Sequence, residues 1–214
     1  MFATDRDLLV YEPNLFRDFV WLGQRLVFGA ADVNEGTLTF YPEDNSLAAA
    51  GIDAGHVVTV AGANFEVIER TGENEAVISR LRPAHDGPSI PPNPAESAAA
   101  WVQTFSPQLA RAHHRVLRLV GIEPLGTPVP GQPTESQITN ARALGALECF
   151  AALELIFRAA GSLLDDTHPA NQRARLYAAA FETERERLVA LIDTNADGTP
   201  DTARRLNGSP LIRG

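Results

Sequence analysis

The sequence predicts an α+β protein, with a small N-terminal antiparallel β-barrel-like module, a C-terminal α-helical bundle and an extended C-terminal arm. Within residues 29–82, short segments rich in β-branched residues alternate apolar and polar side chains, which is typical of half-buried strands. Within residues 134–192, apolar side chains recur every three or four positions, as they do in amphipathic helices. Residues 202–214 follow neither pattern and are predicted to be extended.

The N-terminal part is predicted to begin with a helical or irregular segment, which leads into the β module. Residues 1–28 form this segment, in which Leu15, Phe16 and Phe19 favour a helix over a strand. Residues 29–82 form the module, because four or five short antiparallel strands close most easily into a small barrel or sandwich. The strands are predicted at residues 36–40, 56–60, 65–69 and 76–80, with turns at 61–64 and 71–74.

A proline-rich segment is predicted to separate the β module from the helices. Residues 83–94 contain five prolines and are predicted to be an extended linker and a domain boundary. Asn93, Pro94 and Glu96 have the order of a helix start, with a cap, a proline at the first position and an acidic residue at the third. The helical bundle is therefore predicted to cover residues 95–192.

The first of two long helices is predicted to begin at Thr134. Thr134 and Gln137 have the spacing of a capping box, in which each side chain satisfies a backbone N–H of the first turn. Apolar residues cover more than one side of this helix, which is expected of a helix central in a domain or buried between subunits. Phe150 in this helix and Phe181 in the next are expected to be buried.

The second long helix is predicted to be capped by Asp166 or Thr167. Pro169 then lies in its first turn, where a missing N–H costs nothing. The helix is predicted to continue to Ile192, and Leu176 is among the residues expected to face inward. Its charged residues are expected to form a solvated face.

Composition and charge exclude several classes of function. The chain has 214 residues, a net charge of −9 and no lysine, so non-specific nucleic-acid binding is not expected. No basic or aromatic stripe indicates sequence-specific recognition of nucleic acid. The one cysteine, Cys149, excludes a disulfide within the chain. No apolar run approaches the roughly 20 residues that a membrane span needs, so no membrane partner is predicted.

The chain is predicted not to be an enzyme. It lacks the Gly-x-Ser-x-Gly, P-loop, dinucleotide-binding and His-Glu-x-x-His patterns. His113 and His114 are adjacent, so on a helix their side chains point about 100° apart and are not expected to share a metal. Cys149 has no base near it in the sequence and is predicted to be a small core residue.

One local motif indicates a possible calcium site. Asp193, Asn195, Asp197 and Asp201 place oxygen donors at loop positions 1, 3, 5 and 9, and Gly198 allows the sharp turn at position 6. Position 12, where an EF-hand supplies a bidentate glutamate, is an arginine, so only weak calcium binding is predicted and no cofactor is required. The alternative is a simple helix stop, because Asp, Asn and Gly are good turn formers.

Residues 193–214 are predicted to form an acidic turn followed by an arm that binds a partner. Few residues after Thr202 are apolar, so burial within the subunit is not expected to offset the entropy of ordering them. Such an arm can add a strand to a partner's sheet edge, and the alternative is a frayed terminus. The predicted partner-binding residues combine apolar and basic side chains: Arg204, Arg205, Leu206, Leu211, Ile212 and Arg213.

This architecture resembles that of head-to-tail connector (adaptor) proteins of tailed bacteriophages. Those proteins similarly combine an Ala/Leu/Arg-rich helical bundle with a Pro/Gly-rich C-terminal arm. Residues 1–7 (MFATDRD), 36–39 (GTLT) and 50–58 (AGIDAGHVV) are similar to segments of phage structural proteins, as is the run 193–207. Many adaptors are nearly all helical, so the β module leaves open another neck, tail-completion or baseplate role.

The resemblance implies a structural virion protein that is assembled in the host bacterial cytoplasm. It implies a homo-oligomeric ring, commonly dodecameric, that lines the DNA channel and binds the portal protein above and a downstream tail or neck protein below. The helical bundle would form the ring wall, and the C-terminal arm would reach the portal. The alternative is a cytosolic calcium-binding or scaffolding module that works as a monomer or dimer.

Overall fold

The chain folds into two compact units, and the computed structural model describes residues 1–41, 46–125 and 131–206. The barrel unit comprises Thr4–Ser106, and the helical unit comprises Met1–Ala3 and Pro107–Gly214. The predicted α+β fold class is confirmed.

The barrel unit contains a closed antiparallel barrel of six strands. The strands are β1 (Arg25–Asn34), β2 (Thr37–Tyr41), β3 (Val57–Val60), β4 (Ala63–Arg70), β5 (Glu75–Ser79) and β6 (Ala95–Gln103). They pair in the order β1-β2-β5-β4-β3-β6, and pairing of β6 with β1 closes the barrel. The predicted small antiparallel barrel is therefore confirmed, but β1 and β6 are not among the four strands located from the sequence.

Two hairpins of the barrel turn through two residues each, and all four residues have positive φ angles. Glu35 and Gly36, between β1 and β2, have φ angles of 49° and 85°. Ala61 and Gly62, between β3 and β4, have φ angles of 49° and 79°. Turns of this hand match the twist of the flanking strands, and glycine adopts such angles without steric cost. The predicted turn at 61–64 is confirmed.

The residues before β1 form two one-turn helices, α1 (Asp5–Leu8) and α2 (Leu15–Asp18), and a 3-10 turn at Leu22–Gln24. Phe16 of α2 is fully buried, and its ring lies edge-on to Phe105 with 5.0 Å between the ring centroids. This segment is helical as predicted, but only in short pieces that cover the barrel.

The helix predicted to begin at Asn93 is wrong, because Ala95–Gln103 forms β6. Ala98, Ala99 and Ala100 have high helix propensity, but propensity is a weak prior that tertiary contacts override. Strand β6 pairs with β1 on one side and with β3 on the other. The backbone N–H and C=O groups of this segment therefore have hydrogen-bond partners on both neighbouring strands, whereas a helix would pair them within the segment.

The proline-rich segment 83–94 connects β5 to β6 within this one barrel, and the division between the two units falls after Ser106 instead. The segment is anchored to the end of β5, where Ile90 N–H donates to Ser79 Oγ at 2.8 Å and Arg80 N–H donates to the Ile90 carbonyl at 2.9 Å. Prolines indicate a stretch without regular pairing, but they do not reveal whether the chain on either side shares a core.

The described part of the helical unit contains three helices and a two-stranded antiparallel sheet. The elements are α3 (Ser106–Val120), α4 (Ala141–Ala160), α5 (Pro169–Arg187), β7 (Val189–Ile192) and β8 (Thr202–Arg205). Helices α4 and α5 pack side by side, and the rings of Phe157 and Tyr177 stack between them with centroids 5.8 Å apart.

Two predicted helix boundaries are wrong. Thr134 N–H does donate to Gln137 Oε1 at 2.8 Å, as a capping box requires, but the pair caps only a 3-10 turn and α4 begins at Ala141. Helix α5 ends at Arg187 and does not reach Ile192, because the last four residues of that run pair with β8. Apolar periodicity alone does not separate a short strand from the last turn of a helix.

The start of α5 agrees only in part with the prediction. Pro169 occupies the first helical position as expected. The cap is His168, whose Nδ1 accepts a hydrogen bond from Ala170 N–H at 3.2 Å. The predicted caps Asp166 and Thr167 lie just before it.

Burial in the helical unit follows the predicted pattern at one position and departs from it at two. Phe181 is fully buried, which confirms the prediction. Phe150 is only half-buried. Leu176 is 62% exposed, because the buried face of α5 runs through Ala174, Tyr177 and Phe181, which are three and four residues apart.

Candidate functional site

The predicted calcium-binding residues lie in the loop that joins β7 to β8. Ile192 pairs with Thr202 at the end of this hairpin, and Asp201 N–H donates to the Ile192 carbonyl at 2.9 Å. The loop therefore spans residues 193–201 and contains all four predicted donors: Asp193, Asn195, Asp197 and Asp201.

Hydrogen bonds from the loop itself occupy several of these side chains. Thr194 donates to Asp201 Oδ2 from both its N–H and its hydroxyl, each at 2.9 Å, and these bonds lower the pKa of Asp201 below its usual value. The Asn195 amide nitrogen lies 3.2 Å from Asp201 Oδ1 and 3.3 Å from Asp197 Oδ2. Gly198, with a φ angle of 87°, donates its N–H to Asp193 Oδ2 at 2.7 Å.

Asp193 differs from the other three donors, because it is buried. The residue is 7% exposed, and its Oδ1 is enclosed without a hydrogen-bond partner. A buried acceptor without a partner costs free energy relative to a paired one. In residues 1–41, 46–125 and 131–206, no group of three or more His, Cys, Asp or Glu residues is arranged to hold a metal ion. The loop carboxylates therefore need to rearrange before they can share a cation.

The first part of the predicted arm belongs to the hairpin instead. Residues Thr202–Arg205 pair with β7, and Leu206 is buried. Arg204 Nη1 donates to the Val120 carbonyl at 2.7 Å and lies 3.4 Å from the Gly121 carbonyl. These carbonyls belong to the end of α3, where helical acceptors have no partner within the helix. Arg204 and Leu206 therefore have structural contacts within the chain, and partner binding by them stays a prediction.

The remaining predicted partner-binding residues are not all described. Arg205 is exposed on β8 and is free of the contacts that hold Arg204. Leu211, Ile212 and Arg213 lie outside the described residues. For these four residues, partner binding stays a prediction.

A buried histidine–carboxylate group, which the sequence does not predict, lies in the helical unit. His113 of α3 has Nδ1 2.9 Å from Glu148 Oε2 and Nε2 3.1 Å from Glu135 Oε2. Glu148 of α4 is fully buried, and its carboxylate also accepts hydrogen bonds from Phe2 N–H at 3.1 Å and Ala3 N–H at 3.4 Å. The group therefore joins α3, α4 and residues 1–3.

Opposing effects act on the charge of His113. Burial lowers its pKa, but the hydrogen bonds to Glu148 and Glu135 outweigh burial and hold the pKa above its usual value. Both imidazole nitrogens face carboxylates, so neither is free to take a proton from a substrate. The arrangement is suited to holding chain segments together. Its one sequence signal is that His113 shares a helical face with the apolar Leu109 and Val116.

The barrel unit has its own buried charged cluster. Glu66 of β4 is fully buried, with Arg6 Nε 2.5 Å from Oε2 and Arg82 Nε 2.8 Å from Oε1. Burial raises the pKa of Glu66, but the hydrogen bonds from Arg82 and Arg6 outweigh burial and lower it. The cluster ties α1 and the segment after β5 to the middle of the barrel.

A cavity of about 460 Å³ beside α3 is lined by Arg111, Arg115 and Arg118, among other residues. Two of these arginines already form ion pairs with glutamates. Arg115 Nη1 lies 2.9 Å from Glu154, and Arg118 Nη2 lies 3.4 Å from Glu123. These pairs lower the capacity of the cavity to attract an anion.

Comparison of the chain with protein-family models, with curated proteins and with solved structures found no match. Within the part of the chain that the structure describes, no helix is both long and apolar enough to cross a membrane. The proposals for function therefore rest on the surfaces and sites of this chain itself.

Proposed function

We propose that this protein is a structural virion component of a tailed bacteriophage, a ring-forming adaptor subunit that joins the portal to the tail and lines the DNA channel. The observation that supports a multi-subunit role is the apolar surface that each unit leaves exposed. Sets of exposed apolar side chains on a folded chain are typical of protein–protein contacts. The resemblance to head-to-tail connectors supports the particular assembly.

In the barrel unit, the exposed apolar residues are concentrated before and within the start of β1. Leu22 is 77% exposed, and Val20, Leu26 and Phe28 are also exposed. The guanidinium of Arg25 lies 4.4 Å from the centroid of the Phe28 ring. Aromatic and arginine side chains are enriched in the centres of protein interfaces, so this segment is a candidate contact between subunits.

In the helical unit, two exposed apolar residues lie in the connection between α4 and α5, and a third lies within α5. Leu163 is 96% exposed, and Leu164 and Leu176 are exposed as well. A subunit of a ring needs two different contact surfaces, because head-to-tail contacts generate closed rings. One exposed apolar set in each unit is compatible with this requirement.

The net negative charge of the chain comes from one unit. The barrel unit has fifteen acidic residues and six arginines, whereas the helical unit has twelve of each. DNA phosphates are repelled by acidic surfaces, and basic surfaces retain them. An acidic barrel is therefore suited to a channel through which DNA passes without binding.

The anchor to the portal is proposed to lie in residues 207–214, which include Leu211, Ile212 and Arg213. The apolar Leu211 and Ile212 and the basic Arg213 can be selected by a partner sheet to which the segment adds a strand. Because Arg204 and Leu206 are structural, the proposed anchor begins after them and not at Thr202.

The adaptor role is tested by expressing the chain together with the portal protein of the same phage. Isolated portal rings are then examined by electron microscopy. We expect an added ring on the portal with the full chain and bare portals when residues 207–214 are deleted. The melting temperature of the isolated truncated protein should stay unchanged, because β8 and Leu206 are retained. If the truncated protein still joins the portal, residues 207–214 are not the anchor. If the full chain is absent from both portals and purified particles, the adaptor role is wrong.

The proposed contact surface in the barrel unit is tested by a pair of substitutions. Leu22→Gln with Phe28→Gln should abolish ring formation on the portal while leaving the folded monomer intact. Val10→Gln, an exposed apolar residue outside this segment, is the matched control. Equal ring yield from both variants would show that the segment is not an interface.

A further inference from the structure

We propose that the loop between β7 and β8 binds one calcium ion through oxygen atoms of Asp193, Asn195, Asp197 and Asp201. A backbone carbonyl at position 7 of the loop, Thr199, completes the set that calcium loops use. This inference does not depend on the role in a phage neck, and it would hold equally for a protein with another function.

Because the loop belongs to a hairpin, the arginine at position 12 does not count against calcium binding. An EF-hand loop is flanked by helices and reaches a glutamate at that position. Here, Arg204 lies in β8 and its guanidinium is bonded to the end of α3, so it is not a loop residue. Strand pairing resumes at Thr202, opposite Ile192, so the loop closes after nine residues. Asp193 and Asp201 are then its first and last residues and lie beside each other at the base of the hairpin.

The buried oxygen of Asp193 is the observation that indicates a ligand. The carboxylate faces into the loop, because its Oδ2 accepts the Gly198 N–H at 2.7 Å. Its Oδ1 is enclosed, and no group of the described chain donates a hydrogen bond to it. Buried polar atoms are almost always paired, so an unpaired one calls for a partner. A cation at the centre of the loop would be such a partner.

The donor set favours calcium over other metal ions. All side-chain donors are carboxylate or amide oxygens, which hard cations prefer, and there is no imidazole or thiolate in the loop. Magnesium demands near-ideal octahedral geometry, whereas calcium accepts irregular sets of six to eight oxygens. A nine-residue loop with three carboxylates and one amide offers an irregular set of oxygens, which suits calcium.

Binding requires local rearrangement, which sets the expected affinity. The Asp201 carboxylate must exchange hydrogen bonds from Thr194 for the cation, and the Asn195 amide must present its oxygen and not its nitrogen. Loops that are not preassembled bind calcium weakly, with dissociation constants of roughly 10⁻⁴–10⁻³ M. Because β8 holds Arg204 on the end of α3, binding should also stabilise the helical unit.

The test uses the full chain, titrated with calcium chloride in a calorimeter and melted with and without calcium. We expect one site per chain and a rise in melting temperature of about 4 °C at ten times the dissociation constant. Magnesium chloride at the same concentration should give little heat. Asp193→Asn should weaken binding at least tenfold, and so should Asp197→Asn, whose exposed side chain makes misfolding less of a concern.

The matched control is Asp86→Asn, which makes the same charge change at an exposed position in the barrel unit and should leave calcium affinity unchanged. The proposal is overturned if the full chain shows neither heat nor a shift in melting temperature at millimolar calcium. It is also overturned if both loop variants bind calcium as tightly as the original chain. Neither result would alter the portal experiment, so the two proposals fail separately.

Discussion

Among the described residues, the barrel unit and the helical unit each bury one carboxylate completely, and they compensate its charge in different ways. In the barrel unit, Glu66 lies between Arg6 and Arg82, which keep their charge at any physiological pH. In the helical unit, Glu148 faces His113, an imidazole whose ordinary pKa is near neutral pH. The two units should therefore respond differently to pH.

The signs of the two responses follow from the directions of the pKa shifts. The lowered pKa of Glu66 adds stability that is present above its unfolded pKa of about 4.3 and is lost only as the pH falls through the folded value. The raised pKa of His113 adds stability that is present below its unfolded pKa of about 6.5 and is lost as the pH rises through the folded value. Near neutral pH, only the helical unit should lose stability through its buried pair.

The largest effect is expected from Glu66→Gln. This change removes the carboxylate that Arg6 and Arg82 share and leaves Arg6 with Asp7, at 3.3 Å, as its acidic partner. Removing one partner of a buried pair costs about 3–5 kcal/mol. Trp21 and Trp101 both lie in the barrel unit, so tryptophan fluorescence during urea unfolding follows this unit. Glu69→Gln, an exposed position on the same strand, is the control and should change stability by less than about 0.5 kcal/mol. Equal effects would show that the barrel does not depend on the cluster.

A comparable effect in the helical unit is expected from Phe181→Ala. The ring is fully buried, and the Arg115 guanidinium lies 3.8 Å from its centroid. Removing a buried phenylalanine costs about 3–5 kcal/mol, measured here by far-UV circular dichroism, because the helices lie mainly in this unit. Phe150→Ala should cost clearly less, since that ring is only half-buried. A larger loss for Phe150 would contradict the burial found for the two rings.

The sequence predicts the fold class and the barrel, but not β1 and β6, the two strands whose pairing closes it. Turn residues such as Gly62 and alternation along residues 36–40 are local signals, so they are readable without a structure. Strand β6 has no such signal, since Ala98 to Ala100 favour a helix and become a strand only because β1 and β3 offer two free edges. Strand β7 is not predicted for another reason: apolar periodicity alone does not separate a short strand from the last turn of a helix.

The candidate site, too, is predictable from the sequence only in part. Spacing along the chain is sufficient to predict the oxygen donors from Asp193 to Asp201. Spacing does not show that these residues are held in a hairpin, nor that Asp193 is buried. The pair of His113 and Glu148 joins residues that are 35 positions apart, so only the folded chain brings it together.

A smaller effect, opposite in sign, is expected from Asp5→Asn in the barrel unit. Burial raises the pKa of Asp5 to about 6, although hydrogen bonds from Thr104 and from Phe105 N–H oppose the rise. The protonated form is therefore favoured by folding, so this term stabilises the barrel below about pH 4 and is lost as the pH rises through about 6. At pH 7 the asparagine variant should be more stable by up to about 3 kcal/mol, as measured by tryptophan fluorescence in urea. A variant less stable than the original at pH 7 would contradict this.

The smallest effect, and the sharpest test of the comparison, concerns His113. Raising the pH from about 6 to about 8 should lower the melting temperature of the helical unit, because the folded chain holds the pKa of His113 above its usual value of about 6.5 and so favours the protonated imidazole. His113→Gln should flatten this dependence, while the adjacent and less buried His114→Gln should leave it unchanged. Circular dichroism melts at several pH values measure both.

Two outcomes of these melts distinguish the possible sources of the dependence. The α-amino group of Met1 lies 3.4 Å from Glu135, so it is another positive group beside this carboxylate. If His113→Gln keeps the slope, His113 is not its source. If only His113→Gln removes the slope, the pH response of the helical unit comes from His113. This histidine then compensates the charge of a buried carboxylate, as arginines do in the barrel unit.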